Sequence, residues 1–382
     1  MNNRPISRQT PFFDSLYDEI ECHGGMFNAH LHLDRAGTLS QQYQGKLERD
    51  VFNISSMSLQ EKHKRINDVH AGPAYDIEDL KSRVNFYLDV MIECSTRRAD
   101  TMVDVTDDRV GLQALEILQE IKQARAHEID LRLAAYSPLG NPIHTPTSWD
   151  LLEKGSESAD FIGLLPEADD QLDYPDNIGF YTHLEKGLKL AKRLNKMVHV
   201  HTDQRVVPSE DGTEQLIKAV EEFGAPVLEK GEPAVWAVHA ISPTTYDDER
   251  FYKMVEGLKT NNIGIICCPT AALGMRQIRQ IKTPTDNSMP RVLELLAEGV
   301  QVRIASDNIA DICSPSTTAD LMDEIIVLSS ALRFYNPKIL GKIAAGILLS
   351  DIEKEEINEH LKQNQKEIKK LKRFIGIVRV NS

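Results

Sequence analysis

The chain has 382 residues, of which 41% are hydrophobic and 27% charged, the ordinary balance of a globular protein long enough to bury a full core. A formal net charge of −14 argues against a nucleic-acid surface or an anionic membrane as the main partner, and no apolar run reaches the length of a membrane span. The polar start Met1-Asn2-Asn3-Arg4-Pro5 has no signal-peptide core. Cys22, Cys94, Cys267, Cys268 and Cys313 form neither a disulfide framework nor a Cys-x-x-Cys site, so a cytoplasmic location is expected.

Residues 1–25 read as an N-terminal extension. A strand is predicted over Met26–His32, and its His30 and His32, one apolar residue apart, fall on one face. The polar stretch from Ser40 to about Tyr75 is long for a connection after a strand. It reads as a lid or substrate-contacting loop, or else as a helical decoration. Further strands are predicted over Thr101–Val105, Leu131–Tyr136, Phe161–Leu165, Val198–His201, Val235–His239, Ile263–Cys268 and Val302–Ser306. Helical periodicity fills Glu78–Arg98, Arg109–His127, Thr182–Asn195, Thr213–Phe223, Thr244–Leu258 and Met289–Glu298, with Leu112, Leu115, Ile117, Leu118 and Ile121 marking one buried face.

Eight strand–helix units over 26–350 suit a (β/α)8 TIM-like barrel. An open doubly wound sheet is the alternative, and no Gly-x-Gly-x-x-Gly turn after an early strand supports it. The Lys- and Glu-rich tail from Asp351 to Arg373 reads as a solvated helix packed on the barrel or on a neighbouring subunit. It forms a helical C-terminal extension over 351–382, closing with a strand-like piece, Phe374–Val380.

Metal-competent side chains follow the apolar runs at four strand ends: His30 and His32, then His201 in Val198-His199-Val200-His201-Thr202-Asp203-Gln204, then His239, then Asp307 in Ile304-Ala305-Ser306-Asp307-Asn308. Any one alone reads as a hydrogen-bonded structural histidine or a helix cap. Four in succession require four coincidences. Imidazoles and a carboxylate suit a transition metal.

With those residues in place, the chain resembles the amidohydrolase superfamily, and within it the cytosine deaminase-like branch. The resemblance runs from about Phe27 to about Leu349. It is carried by His30-Leu31-His32-Leu33-Asp34, Thr101-Met102-Val103-Asp104-Val105, Ile129-Asp130-Leu131-Arg132-Leu133, His201-Thr202-Asp203-Gln204 and Ser306-Asp307-Asn308-Ile309-Ala310-Asp311. It implies one divalent metal per chain, zinc or iron, held by His30, His32, His201 and Asp307. It also implies that His239 hydrogen-bonds the water the metal activates and that Asp307 carries its proton. His199 reads as a group behind the ligands or as a buried structural histidine. The β-sandwich that often accompanies the fold is expected to be reduced or absent, because few residues precede His30.

Three departures stand out. Gln204 occupies the place where cytosine and adenosine deaminases carry a proton-shuttling glutamate, and an amide is neither acid nor base near neutral pH. Pro138 or Leu139 falls where cytosine deaminases place a glutamine that reads the pyrimidine edge, which makes cytosine a poor substrate candidate. Glu167, beside Asp169 and Asp170, stands where binuclear members keep a bridging carboxylate or carboxylated lysine. It could bridge a second metal, bind a cationic substrate, replace the missing shuttle, or be a solvated loop carboxylate.

Cys267-Cys268 invites a nucleophile reading, although small buried hydrophobes fit better. Arg276 and Arg279 are candidate contacts for an anionic group, and Asp104 and Asp311 for substrate. The expected activity is metal-dependent hydrolysis of a C–N bond in a small, cyclic nitrogenous compound, with Asp307, His239 and Gln204 catalytic and Glu167, Gln204 and Asp311 on the substrate. Deamination of a nucleobase-like heterocycle other than cytosine is the near alternative, and a non-catalytic metal-containing ligand-binding barrel the distant one. A small-molecule substrate and a homo-oligomer are expected.

Overall fold

The computed structural model describes residues 5–40, 42–43, 59–228, 231–275 and 287–375. Eight strands form one sheet in chain order: β1 (Met26–Leu31), β2 (Thr96–Asp104), β3 (Asp130–Tyr136), β4 (Phe161–Leu164), β5 (Val198–Thr202), β6 (Val235–His239), β7 (Ile263–Cys267) and β8 (Val302–Ile304). Every neighbouring pair is parallel. The ring closes through a parallel bridge between Leu31 and Asp307, with the Asp307 amide donating to the His30 carbonyl at 3.0 Å. Asn28 clasps the same seam, its Nδ2 donating to Ser306 Oγ and its Oδ1 accepting from the Ser306 amide. Among the described residues every named strand belongs to this barrel, as expected of the (β/α)8 architecture.

Side-chain alternation sorts two cores. Val198, Val200, Val235, Ala237, Ile263 and Ile265 face outward into the layer shared with the helices. Phe161, Trp236, Val238, Ile266 and Ala305 fill the barrel. Gly264 makes room for Trp236, whose ring a Cβ at that position would strike. β1 breaks the alternation: Phe27 and Ala29 belong to the inner core, Leu31 to the outer layer, and the pairing with β2 shifts register between Asn28 and Leu31. That irregularity lets His30 and His32 face inward after Ala29.

Several helix boundaries differ from the periodicity. The first long helix is Ile77–Glu93 rather than Glu78–Arg98, because Ser95 turns the chain at φ +68° and β2 starts at Thr96. Arg98, which looks like a helix-surface residue, instead lays its guanidinium over Phe27 and pairs with Asp100. The other helices run Gln113–Arg125, Phe180–Leu194, Gly212–Phe223, Asp248–Thr260 and Val292–Ala297. Helices over Pro11–Cys22, Thr147–Ser158, Leu321–Leu332 and Pro337–Ala344 complete the outer layer, and the first packs on the last. The tail helix, Asp351–Ile375, buries Ile357 and lies against Val292–Ala297. It takes in Phe374, so the expected strand does not start there; residues 376–380 lie outside the described residues. No helix is long and apolar enough to cross a membrane among the described residues.

The connection after β1 carries short helices at Leu59–Lys64 and Ile66–Ala71, and Lys62 and His63 of the first also line the cavity at the barrel mouth. It is pinned to the barrel mouth by a buried polar network. His70 lies between Asp104 Oδ2 (3.0 Å) and Asp108 Oδ2 (2.6 Å), and Tyr75 donates within reach of both Asp34 and Asp104 (3.0 Å each). Burial opposes charge on His70, but the two carboxylates outweigh it and hold its pKa up to about 9.

The unfolded value is about 6.5. The network's contribution is therefore complete below that value and fades as pH rises through about 9. His70→Gln should lower the unfolding free energy by about 3 kcal/mol at about pH 6, where it breaks a buried pair, and by clearly less at about pH 10. Urea denaturation at both pH values reads this, and an equal deficit at both would contradict it.

Candidate active site

A cavity of about 500 Å³ opens at the carboxyl ends of the strands. His32, His201, His239 and Asp307 line its floor, Glu167 and Gln204 one wall, and Lys62 and His63 reach it from the connection after β1. His30 sits just beneath, fully buried. One nitrogen each of His30, His32 and His201 falls within 4.8 Å of the others. Asp307 Oδ1 lies 3.4 Å from His32 Nε2 and 3.8 Å from His30 Nε2.

Local backbone geometry aims these groups. Continued alternation would turn His239 outward after Val238, but φ of +76° at His239 and +47° at Ala240 swings its ring inward. Asp307 has φ +60°, at the seam that closes the barrel. Asp203 has φ +63° and does not face the cavity: its carboxylate accepts from the amides of Gly212 (2.7 Å) and Thr213 (2.8 Å), capping the helix Gly212–Phe223. That cap anchors the turn from which Gln204 enters the cavity.

The donor set suits a metal ion. His201 Nδ1 lies 3.0 Å from the Leu164 carbonyl, which fixes that nitrogen as N–H and leaves Nε2 with its lone pair. His30 Nε2 is buried without a hydrogen-bond partner, as is His239 Nδ1. Burial, then neighbouring imidazoles, pushes His30 and His201 well below the ordinary histidine range, and burial lowers His239. Neutral imidazoles are the ligating form. Burial opposes ionisation of Asp307, but the hydrogen bond from His32 and the other imidazoles outweigh it and keep the carboxylate charged.

Glu167 stands on a short turn, Pro166–Asp169, whose shape is set from behind. Asp169 accepts from the Asn141 amide (2.5 Å) and Asn141 Nδ2 (2.9 Å) and pairs with His183 Nδ1 at 2.6 Å. Gln204 Nε2 donates to Glu167 Oε2 at 2.7 Å, while Glu167 Oε1 is sealed from solvent without a partner. Burial and the carboxylates of Glu210 and Asp203 push Glu167 well above the ordinary carboxylate range, against the pull of Arg205 and Gln204.

Other residues singled out from the sequence lie further back. Asp311 is buried and accepts from the amides of Cys313 (2.8 Å) and Ser314 (3.0 Å), so it holds the 313–317 stretch that forms a cavity wall. Asp104 is spent on the His70 and Tyr75 network, and Asp170 pairs with Arg205. His199 packs on Phe161 at 4.6 Å below the cavity. Tyr136 lines the cavity, whereas Pro138 and Leu139 do not. Cys267 and Cys268 are buried thiols that burial holds protonated, as small hydrophobes would be. Arg276 and Arg279 lie outside the described residues.

Sequence reasoning missed Arg35, which lines the cavity and reaches both His32 Nδ1 (2.5 Å) and Asp104 (3.4 Å). Its place three residues after His32 was the available signal. Lys62 and His63 carried none, lying in a polar stretch with no motif.

No protein-family model matches the chain. An uncharacterized protein of Haemophilus influenzae is 30% identical over 281 residues, 72% of this chain and 94% of that protein. A pterin deaminase of Rhizobium rhizogenes is 23% identical over 259 residues, 68% of this chain, which spans about half (55%) of that relative. Among solved structures, the 5-methylcytosine deaminase of Klebsiella pneumoniae bound to 5-fluorocytosine superposes with a TM-score of 0.67 at 25% identity, over 82% of this chain and 70% of that one. With an eight-stranded parallel barrel and a histidine cluster at its carboxyl end, the chain is similar to deaminases of the amidohydrolase superfamily, the Klebsiella enzyme among them.

Proposed function

We propose that the protein hydrolyses a C–N bond in a small, cyclic nitrogenous compound, with His30, His32, His201 and Asp307 holding one divalent ion, zinc or iron. The similarity to deaminases and to hydrolases of heterocycles supports a hydrolase acting on carbon–nitrogen bonds other than peptide bonds. The observation that carries the finer reading is the convergence of three neutral imidazoles and one charged carboxylate on the floor of a cavity of small-molecule size.

When bound, the ion supplies a Lewis acid that lowers the pKa of water from about 15.7 to roughly 7. The chain's own groups do the rest. Asp307, held as a carboxylate, accepts the proton of the attacking water and passes it to the leaving nitrogen. His239, with an unpaired buried Nδ1, orients the nucleophile or stabilises charge on the tetrahedral carbon's oxygen. Gln204 offers an amide to the substrate edge, and Asp311 keeps the 313–317 wall in place. Deamination of an aminated heterocycle is the form of the reaction favoured by the similarity to a pterin deaminase and a 5-methylcytosine deaminase.

Protein purified without chelator should carry about one zinc or iron per chain by elemental analysis, and His30→Ala or His201→Ala should lower this to roughly a tenth or less. Undiminished metal in both variants would remove these residues from the ligand set.

A panel of aminated heterocycles, cyclic amides and cyclic ureas, read by ammonia release and mass change, tests the reaction. Ammonia marks deamination, and gain of water without ammonia marks ring opening. On any substrate so found, Asp307→Asn should lower kcat by about 100-fold or more while leaving the fold intact by circular dichroism. Retained turnover would exclude Asp307 as the proton carrier.

A further inference from the structure

Gln204 leaves the cavity without the carboxylic acid that protonates a ring nitrogen in deaminases of this branch. Yet a carboxyl stands beside it. Glu167, from the turn after β4, contacts Gln204 through Oε2 and leaves Oε1 unpartnered and shielded from solvent at the cavity wall. Resting on the hydrolase reading above, we propose that Glu167, which lines the cavity in contact with Gln204, is the proton donor of the reaction: its carboxyl group protonates the ring nitrogen of an amino-substituted azine, and Gln204 orients it.

The groups around Glu167 fit that role. Glu210 and Asp203, from the segment after β5, repel its ionised form, as does the loss of water around it. Arg205 would favour ionisation, but its guanidinium is engaged by Asp170 at 3.3 Å and Asp173 at 2.6 Å. Across the cavity stand His201, His239 and the charged Asp307. These surroundings favour the neutral form of Glu167, the form a proton donor needs.

The step balances. Water oxygen bonds to the ring carbon, one water proton passes to Asp307, and the C=N electron pair moves to the ring nitrogen, which takes the proton from the Glu167 carboxyl group. The amino group then takes the proton from Asp307 and leaves as ammonia with the C–N electron pair. The new hydroxyl returns its proton to Glu167 as the carbonyl forms.

The test uses zinc-loaded protein with pterin and 5-methylcytosine as probes, comparing wild type, Glu167→Gln, and Glu167→Gln with Gln204→Glu. Glu167→Gln should lower kcat by about 100-fold or more with KM changed less than about threefold, and should abolish the fall in kcat on the basic side. The double variant, which returns a carboxyl to position 204, should regain about tenfold or more. A Glu167→Gln enzyme within about threefold of wild type in kcat, or one impaired only in KM, overturns the proposal. Infrared difference spectra of wild type minus Glu167→Gln, taken without substrate, give a second reading. A neutral-carboxyl band at neutral pH that vanishes as pH rises supports the proposal even where neither probe is turned over, the outcome that would count against the functional reading alone. Absence of that band overturns the proposal whatever the substrate.

Discussion

The hydrogen bond from the Asp307 amide to the His30 carbonyl, 3.0 Å long, ties the last strand of the barrel to the first. The site depends on that closure. The two histidines at the end of β1 and the aspartate after β8 are far apart in sequence, and the seam makes them neighbours. Asn28 reinforces it by holding Ser306 from both sides, so the residue preceding Asp307 is fixed by side-chain as well as main-chain bonds. A carboxylate placed this way needs little reorganisation to meet the imidazoles, the condition under which fixed polar groups act most strongly.

The second constraint is electrostatic. Packing several imidazoles around a carboxylate inside a protein disfavours protonation of most of them and favours ionisation of the carboxylate. The outcome is a neutral ligand set with one fixed negative charge. On the adjacent wall the conditions are reversed. Glu167 has less water around it and faces other carboxylates, which shift it toward the neutral form. The same residue chemistry thus serves opposite purposes a few side chains apart, because its surroundings differ in charge.

The barrel was legible because eight apolar runs recur with amphipathic stretches between them, and all eight strands overlap their predicted ranges. The boundaries that shifted did so for tertiary reasons. Thr96–Arg98 read as helix because arginines suit a helix surface, whereas Arg98 belongs to a strand and stacks on Phe27. Asp104 and Asp311 read as substrate contacts because acids at strand ends suit cavities. In the fold, Asp104 anchors the connection after β1 and Asp311 braces a wall, roles that depend on segments distant or irregular in sequence. Lys62 and His63 reach the cavity without any motif to mark them.

By itself the sequence determined the order of strands and the residue types at their carboxyl ends, since strand propensity and alternation are local properties that a linear reading preserves. It also determined that position 204 is an amide. Which way each strand-end side chain turns was settled only in three dimensions. The register shift in β1 and the left-handed backbone at His239 override simple alternation. Tertiary structure likewise decided the protonation of Glu167 and Asp307, because desolvation and charge–charge energies depend on distances across the barrel mouth and not on spacing along the chain.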